Sequence, residues 1–396
     1  MRPASSAIVP LLLVGVAACG GPRPGTVQPM RSPLALAVPY LDSMVDDGAA
    51  PGAVLGVSWR GQHYFHSHGV LGLADSTRPD STTVYDMASL TKVIGLTTAV
   101  AMGVEEGVIE LDAPVRQYVP AFEGDGKSAV TIRQLLTHSS GMPAWRPLYE
   151  HATGRADAMA MADTTPLDTT PGTSYEYSDL GAIVLTQVVE TVYGERLDQL
   201  LARRVFQPLG LSDTRFLPDS GWLPRIAPTE NDPWRGRMVR GEVHDENSSR
   251  MGGVSGHAGL FSSARDLLRF GDWLLEAWNG EPGAQWIWPP PPTALRKFTR
   301  KQDMPEGSSR ALGWDTPSQG SSAGRRLSRQ SFGHTGFTGT SIWIDPTRDL
   351  VIVLLSNRVH PTRENQKWNP VRRNVANRVV SALEDRHPEP SGSPAR

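Results

Sequence analysis

The sequence has a single cysteine and few lysines. One cysteine in 396 residues excludes an internal disulfide, so the fold must rely on an apolar core, for which 39% apolar residues are ample. Charges of the two signs nearly balance, with 39 Lys and Arg against 41 Asp and Glu, so composition gives no indication of a nucleic-acid partner. Only five of the basic residues are lysine, which makes a lysine at a catalytic spacing informative.

The N-terminal apolar stretch at 7–18 is too short to cross a membrane as a helix. It follows Arg2 and ends in Val-Ala-Ala-Cys19-Gly, which is similar to the lipobox at which bacterial lipoproteins are cleaved and acylated. We therefore expect a lipoprotein signal peptide over 1–19, lipidation at Cys19 and a membrane partner through that lipid. The expected location is the bacterial cell envelope, facing the periplasm or exterior. The alternative is an ordinary secretory signal that contains a cysteine.

Two flanking segments have compositions that disfavour a packed core. Residues 20–37, rich in Pro, Gly and Arg at their start, are expected to form a flexible tether. Residues 386–396 are rich in Pro and Ser and are expected to form a disordered tail.

Strand patterns occur near both ends of the remaining chain. Residues 53–59 and 63–66 predict a hairpin, and 341–344 and 350–355 predict a second pair. A helix follows, because apolar residues recur every fourth position from Val371 to Leu383. Strand patterns near both ends predict one sheet, in which the C-terminal strands pair beside the N-terminal hairpin.

The middle of the chain is predicted to be mostly helical. Helices are expected at 90–106, 131–138, 180–193, 196–206 and 263–278. The fold class is therefore α+β, with an antiparallel sheet flanked by terminal helices and an inserted, mostly helical domain. We expect the sheet-containing part to span 38–88 and 305–385, the helical part to span 89–304, and the proline-rich run at 286–292 to form a loop or domain crossing.

A serine and a lysine three residues apart lie at the start of the first predicted inner helix. Ser89 and Lys92 share one helix face, so the hydroxyl and amine can touch. A serine hydroxyl becomes a good nucleophile when an adjacent base takes its proton, and a lysine with a lowered pKa can do so. The helix N-terminus favours both the neutral amine and the developing alkoxide. This spacing arises often by chance, so it needs supporting context.

Two further motifs supply that context. Tyr177-Ser178-Asp179 precedes a predicted helix, and His334-Thr335-Gly336 precedes the second strand pair. The three motifs in this order resemble the serine β-lactamase and penicillin-binding-protein family, whose pattern is S-x-x-K, Y-x-N and K-T-G or H-T-G. Within that family the sequence is most similar to the branch that holds class C β-lactamases, D-alanyl-D-alanine carboxypeptidases and esterases. The similarity covers about 51–383.

The resemblance implies a role for each matching residue. Ser89 would attack a carbonyl, Lys92 would accept its proton, and Tyr177 would shuttle a proton to the leaving group. Substrate would contact the second and third motifs at Asp179, His334, Thr335, Gly336 and Phe337. The backbone N–H groups of Ser89 and Phe337 would form the oxyanion hole. This chemistry requires no metal and no cofactor.

Two positions differ from the usual pattern of the family. Asp179 replaces Asn, so it offers only acceptors when ionised and would favour charged Lys92, against its role as base. These effects oppose penicillin-type recognition. His334 replaces Lys, so we expect a charge that titrates near neutral pH and a carboxylate anchor that weakens as pH rises.

Several residues have alternative interpretations. Tyr177 could be a core tyrosine, which is what we expect of Tyr175, and His334 could simply line a turn. His244 could line the cleft or lie in a solvated loop. The three nearby histidines in 63–68 could bind a metal, but no HExxH-like helix supplies further ligands.

The leading functional hypothesis is a serine acyl-hydrolase that forms an acyl-Ser89 intermediate. Its expected substrates are D-alanyl peptides, β-lactams or small esters, and the envelope location favours the first two. The alternative is a catalytically weak penicillin-binding or sensor lipoprotein of the same fold, for which Asp179 is the one supporting feature.

Overall fold

The structure is a computed structural model that describes residues 32–280 and 292–385. Cys19, most of the predicted tether, most of the proline-rich run and the predicted tail at 386–396 lie outside the described residues. Among the described helices, none is both long and apolar enough to cross a membrane.

Ten strands and eleven α-helices form the described part. In chain order the strands are β1 (Gly52–Trp59), β2 (Gln62–Gly69), β3 (Val84–Asp86), β4 (Arg215–Phe216), β5 (Asn231–Asp232), β6 (Arg237–Met238), β7 (Leu260–Ser263), β8 (Phe332–Thr335), β9 (Ser341–Asp345) and β10 (Leu350–Ser356). The helices are α1 (Val38–Asp46), α2 (Thr98–Glu105), α3 (Ile132–Leu136), α4 (Leu148–His151), α5 (Arg155–Thr164), α6 (Asp179–Tyr193), α7 (Leu197–Leu201), α8 (Glu246–Arg250), α9 (Ala264–Asn279), α10 (Pro292–Thr299) and α11 (Asn369–Glu384).

Strands from both ends of the chain form one antiparallel sheet, in the order β2-β1-β10-β9-β8. Strand β1 pairs with β10 along its length, from Ala53 opposite Ser356 to Trp59 opposite Leu350. The predicted fold class is therefore confirmed. Strand β8 was not predicted and forms the edge that carries His334.

The β1–β2 hairpin turns through two residues with positive φ. Arg60 has φ of 53° and Gly61 has φ of 73°, which is the conformation of a two-residue turn whose twist matches the flanking strands. The predicted hairpin therefore forms where the sequence placed it.

Alternate residues of β10 pack on opposite faces of the sheet, as the two-residue period of a strand requires. Leu350 and Ile352 contact the core formed with α1 and α11, which includes Val375. Val351 and Val353 belong to the larger core that includes α9 and the helical part of the chain. The terminal helices thus cover one face and the inserted helices cover the other.

The described part also contains two small sheets beside the main one. Strands β3, β7 and β4 form one, and β5 and β6 form the other. Strand β3 matters most for function, because it ends three residues before Ser89. The domain boundaries proposed from the sequence stay a prediction.

Candidate active site

Ser89 lies at the junction between β3 and the helix that follows. The residue before it, Ala88, has φ of 46°. This left-handed conformation is unfavourable for any residue that has a Cβ atom. A π-helical segment, Lys92–Thr97, precedes α2 and begins at the predicted base. Irregular helical turns of this kind are frequent at functional sites.

The Lys92 amine is buried and makes three polar contacts. It donates to Ser89 Oγ at 3.1 Å and to the His257 carbonyl at 3.0 Å, and it lies 2.6 Å from Asp179 Oδ1. Burial alone would lower the pKa of Lys92, but the Asp179 carboxylate and the Tyr177 phenol outweigh burial and raise the pKa above its usual value. The resting amine is therefore an ammonium, as expected from the substitution at Asp179.

Tyr177 lies directly beside the Ser89–Lys92 pair. Its ring centroid is 5.0 Å from Lys92 Nζ and 4.5 Å from the ring of His138. Its hydroxyl is buried and has no hydrogen-bond partner within the described residues. The phenol nevertheless raises the pKa of Lys92, so the two groups interact.

Asp179 occupies the first turn of α6 but does not cap it. The N-cap is Ser178, whose hydroxyl accepts a hydrogen bond from the Gly181 N–H at 3.0 Å. The Asp179 carboxylate is directed at Lys92 instead. Ser178, and not Asp179, therefore caps the helix.

The turn after β8 approaches Ser89 closely. A Cβ added to Gly336 would lie 2.4 Å from the Met87 carbonyl oxygen, so glycine is required where the two segments meet. The N–H groups of Ser89 and of Phe337 make no hydrogen bond to any described residue. Both members of the predicted oxyanion hole are therefore free to bind a substrate oxygen.

His334 is buried and neutral. Burial lowers its pKa well below the usual range, and the nearby cations Arg310 and Lys92 lower it further. Its Nδ1 lies 2.8 Å from the Thr335 carbonyl, so Nδ1 carries the hydrogen and Nε2 offers a lone pair. The expectation that His334 titrates near neutral pH and anchors a carboxylate by its charge is therefore wrong.

These residues line a cleft of about 660 Å³. Seven of the eight predicted catalytic and substrate-binding residues line it directly, namely Ser89, Tyr177, Asp179, His334, Thr335, Gly336 and Phe337. Lys92, the eighth, reaches the cleft through its contact with Ser89. The three motifs, which are far apart in sequence, therefore meet around one space.

One side chain in this region differs from expectation, and the position of another decides between two alternatives. Tyr175 was expected in the core, but it lines the cleft with 40% of its surface exposed. His244 also lines the cleft and is buried, with Nε2 2.8 Å from Glu230 Oε2, so the solvated-loop interpretation is wrong. Its ring stacks on that of Phe337 at 5.8 Å.

Sequence reasoning missed a cation in the cleft. The Arg310 guanidinium lies over the rings of Tyr175 and Tyr177, at 5.5 and 5.3 Å, and Nε donates to the Tyr175 hydroxyl at 3.0 Å. Its Nη1 is buried without a hydrogen-bond partner, and no carboxylate of the described residues forms an ion pair with it. The sequence gives no signal for this role, because Arg310 lies in no motif.

The histidines of β2 contact carboxylates on its neighbouring helices. His66 lies 2.6 Å from Asp42, His68 lies 2.7 Å from Asp46, and His63 lies 2.5 Å from an aspartate of α9. Within residues 32–280 and 292–385, no cluster of three or more potential ligands is arranged to hold a metal ion.

Comparisons with known proteins agree with this geometry. Residues 39–377 match the family model described as Beta-lactamase. Proteins named "Putative D-alanyl-D-alanine carboxypeptidase" from Salmonella schwarzengrund and Salmonella typhimurium are each 34% identical to the chain, over 75% of it and 74% of their own length.

Solved structures share the fold at low sequence identity. A penicillin-binding protein homologue from Caulobacter crescentus matches with a TM-score of 0.71 and 17% identity, over 89% of this chain and 98% of its own. A class C β-lactamase from Rhodobacter sphaeroides matches with a TM-score of 0.67 and 22% identity, over 88% and 99%. The chain belongs to the beta-lactamase family and is a serine hydrolase.

Proposed function

We propose that the protein hydrolyses peptides that end in D-alanine, through an acyl-Ser89 intermediate. The observation that carries the proposal is the unpaired Arg310 guanidinium beside Tyr177, since a terminal peptide carboxylate is the charged group that a D,D-carboxypeptidase must recognise. The names of the relatives that are 34% identical support the same substrate class.

In the acylation step, the Ser89 oxygen forms a bond to the carbonyl carbon of the penultimate residue. Lys92 first releases its own proton to solvent, and the neutral amine then accepts the Ser89 proton while the developing oxyanion binds the N–H groups of Ser89 and Phe337. The C–N bond then breaks, and Tyr177 gives its proton to the leaving amine and recovers one from Lys92. Water subsequently attacks the ester, and the same groups return the proton to Ser89.

Arg310 is suited to bind the carboxylate because Lys92 and His334, which also lie beside Tyr177, are not available as free cations. Lys92 is paired with Asp179, and His334 is neutral. A planar guanidinium with a free Nη1 can form a charge-assisted hydrogen bond to a carboxylate, and its stacking on Tyr175 holds it in place.

Replacing Arg310 with alanine is expected to impair only substrates that carry a free terminal carboxylate. A hydrogen bond to a charged group contributes about 1.5–3 kcal/mol, so KM for a D-Ala-D-Ala peptide should rise about 10- to 100-fold. The same peptide with an amidated terminus, and a neutral ester, should react alike with wild type and Arg310→Ala. Arg329→Ala serves as the control, because Arg329 is exposed and outside the cleft lining. An equal loss on all three substrates would contradict the assignment of Arg310.

Asp179→Asn is expected to shift the acid limb of the kcat/KM profile to lower pH. The carboxylate raises the pKa of Lys92, and only the neutral amine is a base, so removing the charge makes the base available at lower pH. We expect a shift of about one to three pH units and faster acylation by penicillins. Thermal stability should barely change, because Ser178 caps the helix.

The control for this variant is Asp168→Asn, since Asp168 is exposed, pairs with Arg146 and lies outside the cleft lining. Its pH profile should match that of wild type. Unchanged pH dependence and penicillin reactivity in Asp179→Asn would show that the carboxylate does not control Lys92.

A second candidate function is a weak penicillin-binding or sensor lipoprotein. The Lys92–Asp179 contact favours this function. A carboxylate 2.6 Å from the amine keeps it protonated, and a protonated amine cannot act as the base. Single-turnover labelling separates the two functions. A sensor would form a stoichiometric, long-lived acyl-enzyme, whereas a carboxypeptidase would release D-alanine over many turnovers.

We also propose that Cys19 carries a lipid that anchors the protein in the cell envelope. The support is the similarity of the segment up to Cys19 to a lipobox, together with a substrate class found in the cell wall. Wild type should partition with membranes, and Cys19→Ser should not. An unmodified mature N-terminus at another residue, found by mass spectrometry, would contradict the anchor.

A further inference from the structure

Asp86 is a buried carboxylate that the chemistry above does not use. It ends β3, and only 2% of its surface is exposed. Burial raises the pKa of its carboxyl, and no described Lys or Arg pairs with it. A buried carboxylate without a cation partner costs free energy of folding, so its hydrogen bonds indicate what the fold gains by keeping it.

One carboxylate oxygen holds the residue that precedes the nucleophile. Asp86 Oδ1 accepts a hydrogen bond from the Ala88 N–H at 2.7 Å. Ala88 has φ of 46°, and such a conformation persists only when surrounding contacts enforce it. This hydrogen bond therefore helps to set the direction of the Ser89 N–H, one peptide further along the chain.

The other carboxylate oxygen holds the segment that supports the second oxyanion donor. Asp86 Oδ2 accepts from the His244 N–H at 2.6 Å. The His244 ring stacks on Phe337, with an interplanar angle of 21°. Fixing the backbone of His244 therefore fixes the surface on which Phe337 rests.

Backbone contacts link the same two segments directly. The Asp86 carbonyl accepts from Thr338 Oγ1 at 2.7 Å, and the Met87 carbonyl accepts from Thr340 Oγ1 at 3.1 Å. The chain before Ser89 and the turn that contains Phe337 are thus joined directly at two points, one of which is the Asp86 carbonyl.

We propose that Asp86 is a positioning residue that holds the two N–H groups of the oxyanion hole at the separation the tetrahedral intermediate requires. The inference rests on the proposed function in one respect, namely that the Ser89 and Phe337 N–H groups bind the oxyanion. Asp86 itself does not line the cleft, so it acts through Ala88 and His244.

The test is Asp86→Asn, measured with a neutral activated ester and with an aryl boronic acid, which forms a tetrahedral adduct with a catalytic serine. An asparagine has one acceptor oxygen, so it cannot accept from both N–H groups as the carboxylate does. Losing one oxyanion donor outright costs about 10²–10³ in rate. For a displaced donor we expect kcat to fall about 10- to 100-fold, KM to change less than about 2-fold, and boronate affinity to fall by the same factor as kcat.

Asp266→Asn is the matched control. Asp266 is equally buried and also accepts a backbone N–H, from Asp213 at 2.7 Å, but it does not line the cleft. A merely structural role for Asp86 predicts that both variants lose thermal stability alike and keep wild-type kcat and boronate affinity. That result would overturn the proposal. Loss of kcat without loss of boronate affinity would overturn it too, because the adduct requires the same two donors.

The experiment also separates this inference from the proposed function. If boronate binding in wild type depends on Ser89 while Asp86→Asn behaves as wild type, only the role of Asp86 fails. If the Ser89→Ala variant binds the boronate and turns over the ester as wild type does, the proposed function fails as well.

Discussion

Replacing Ser89 with alanine is expected to lower kcat by at least about 10⁴-fold and to abolish covalent labelling. The hydroxyl is the only group proposed to carry the acyl chain, and removing a nucleophile leaves only the catalysis that comes from binding and the oxyanion hole. Steady-state turnover of a D-Ala-D-Ala peptide and of an activated ester measures the loss.

The fold of this variant should stay intact, because Ser89 is half-buried and its hydroxyl only accepts from Lys92. Thermal unfolding provides the control and should show a midpoint close to that of wild type. A stable Ser89→Ala protein with wild-type turnover would exclude the acyl-serine mechanism.

Lys92→Arg is expected to lower kcat/KM by at least about 10³-fold although the positive charge is kept. A guanidinium stays protonated, so it cannot accept the proton of Ser89, whereas an amine can once its own proton is lost. The retained charge preserves the attraction to Asp179, so the variant separates the role of Lys92 as base from its role as cation.

Because the Lys92 side chain is 3% exposed, the larger guanidinium has little space, and thermal unfolding must accompany the kinetics. Lys92→Met, which has similar length and no charge, is the matched variant and should be equally inactive. A folded Lys92→Arg enzyme with substantial activity would show that another group is the base.

Much of the fold was predictable because it rests on local periodicity. The β1–β2 hairpin, the β9–β10 pair and α11 all lie where alternation or a four-residue spacing of apolar residues placed them. Strand β8 was missed, since it is four residues long and contains Gly333, which weakens any strand pattern.

The fold places the predicted site residues around one cleft, as the motifs indicated. Their charge states depend on burial, which a sequence does not reveal. His334 is neutral because it is buried beside Arg310 and Lys92. Asp179 contacts Lys92 and leaves the cap to Ser178, although either residue type can cap a helix.

Arg310 and Asp86 were not predicted because their roles arise only from tertiary contacts. Arg310 reaches Tyr175 and Tyr177 from a segment with no motif. Asp86 bonds His244 across 158 positions of sequence. Such contacts between distant residues have no local pattern that a single sequence could reveal.

The most direct test of the central claim is to map the residue that becomes acylated in the wild-type protein. The protein would be incubated in parallel with a fluorescent penicillin and with an activated ester, quenched, digested and analysed by peptide mass spectrometry. We predict that the ester leaves its acyl group on the peptide that contains Ser89, on the serine itself, and that any penicillin adduct lies at the same residue. Acylation at another residue, with Ser89 unmodified during turnover, would contradict the account.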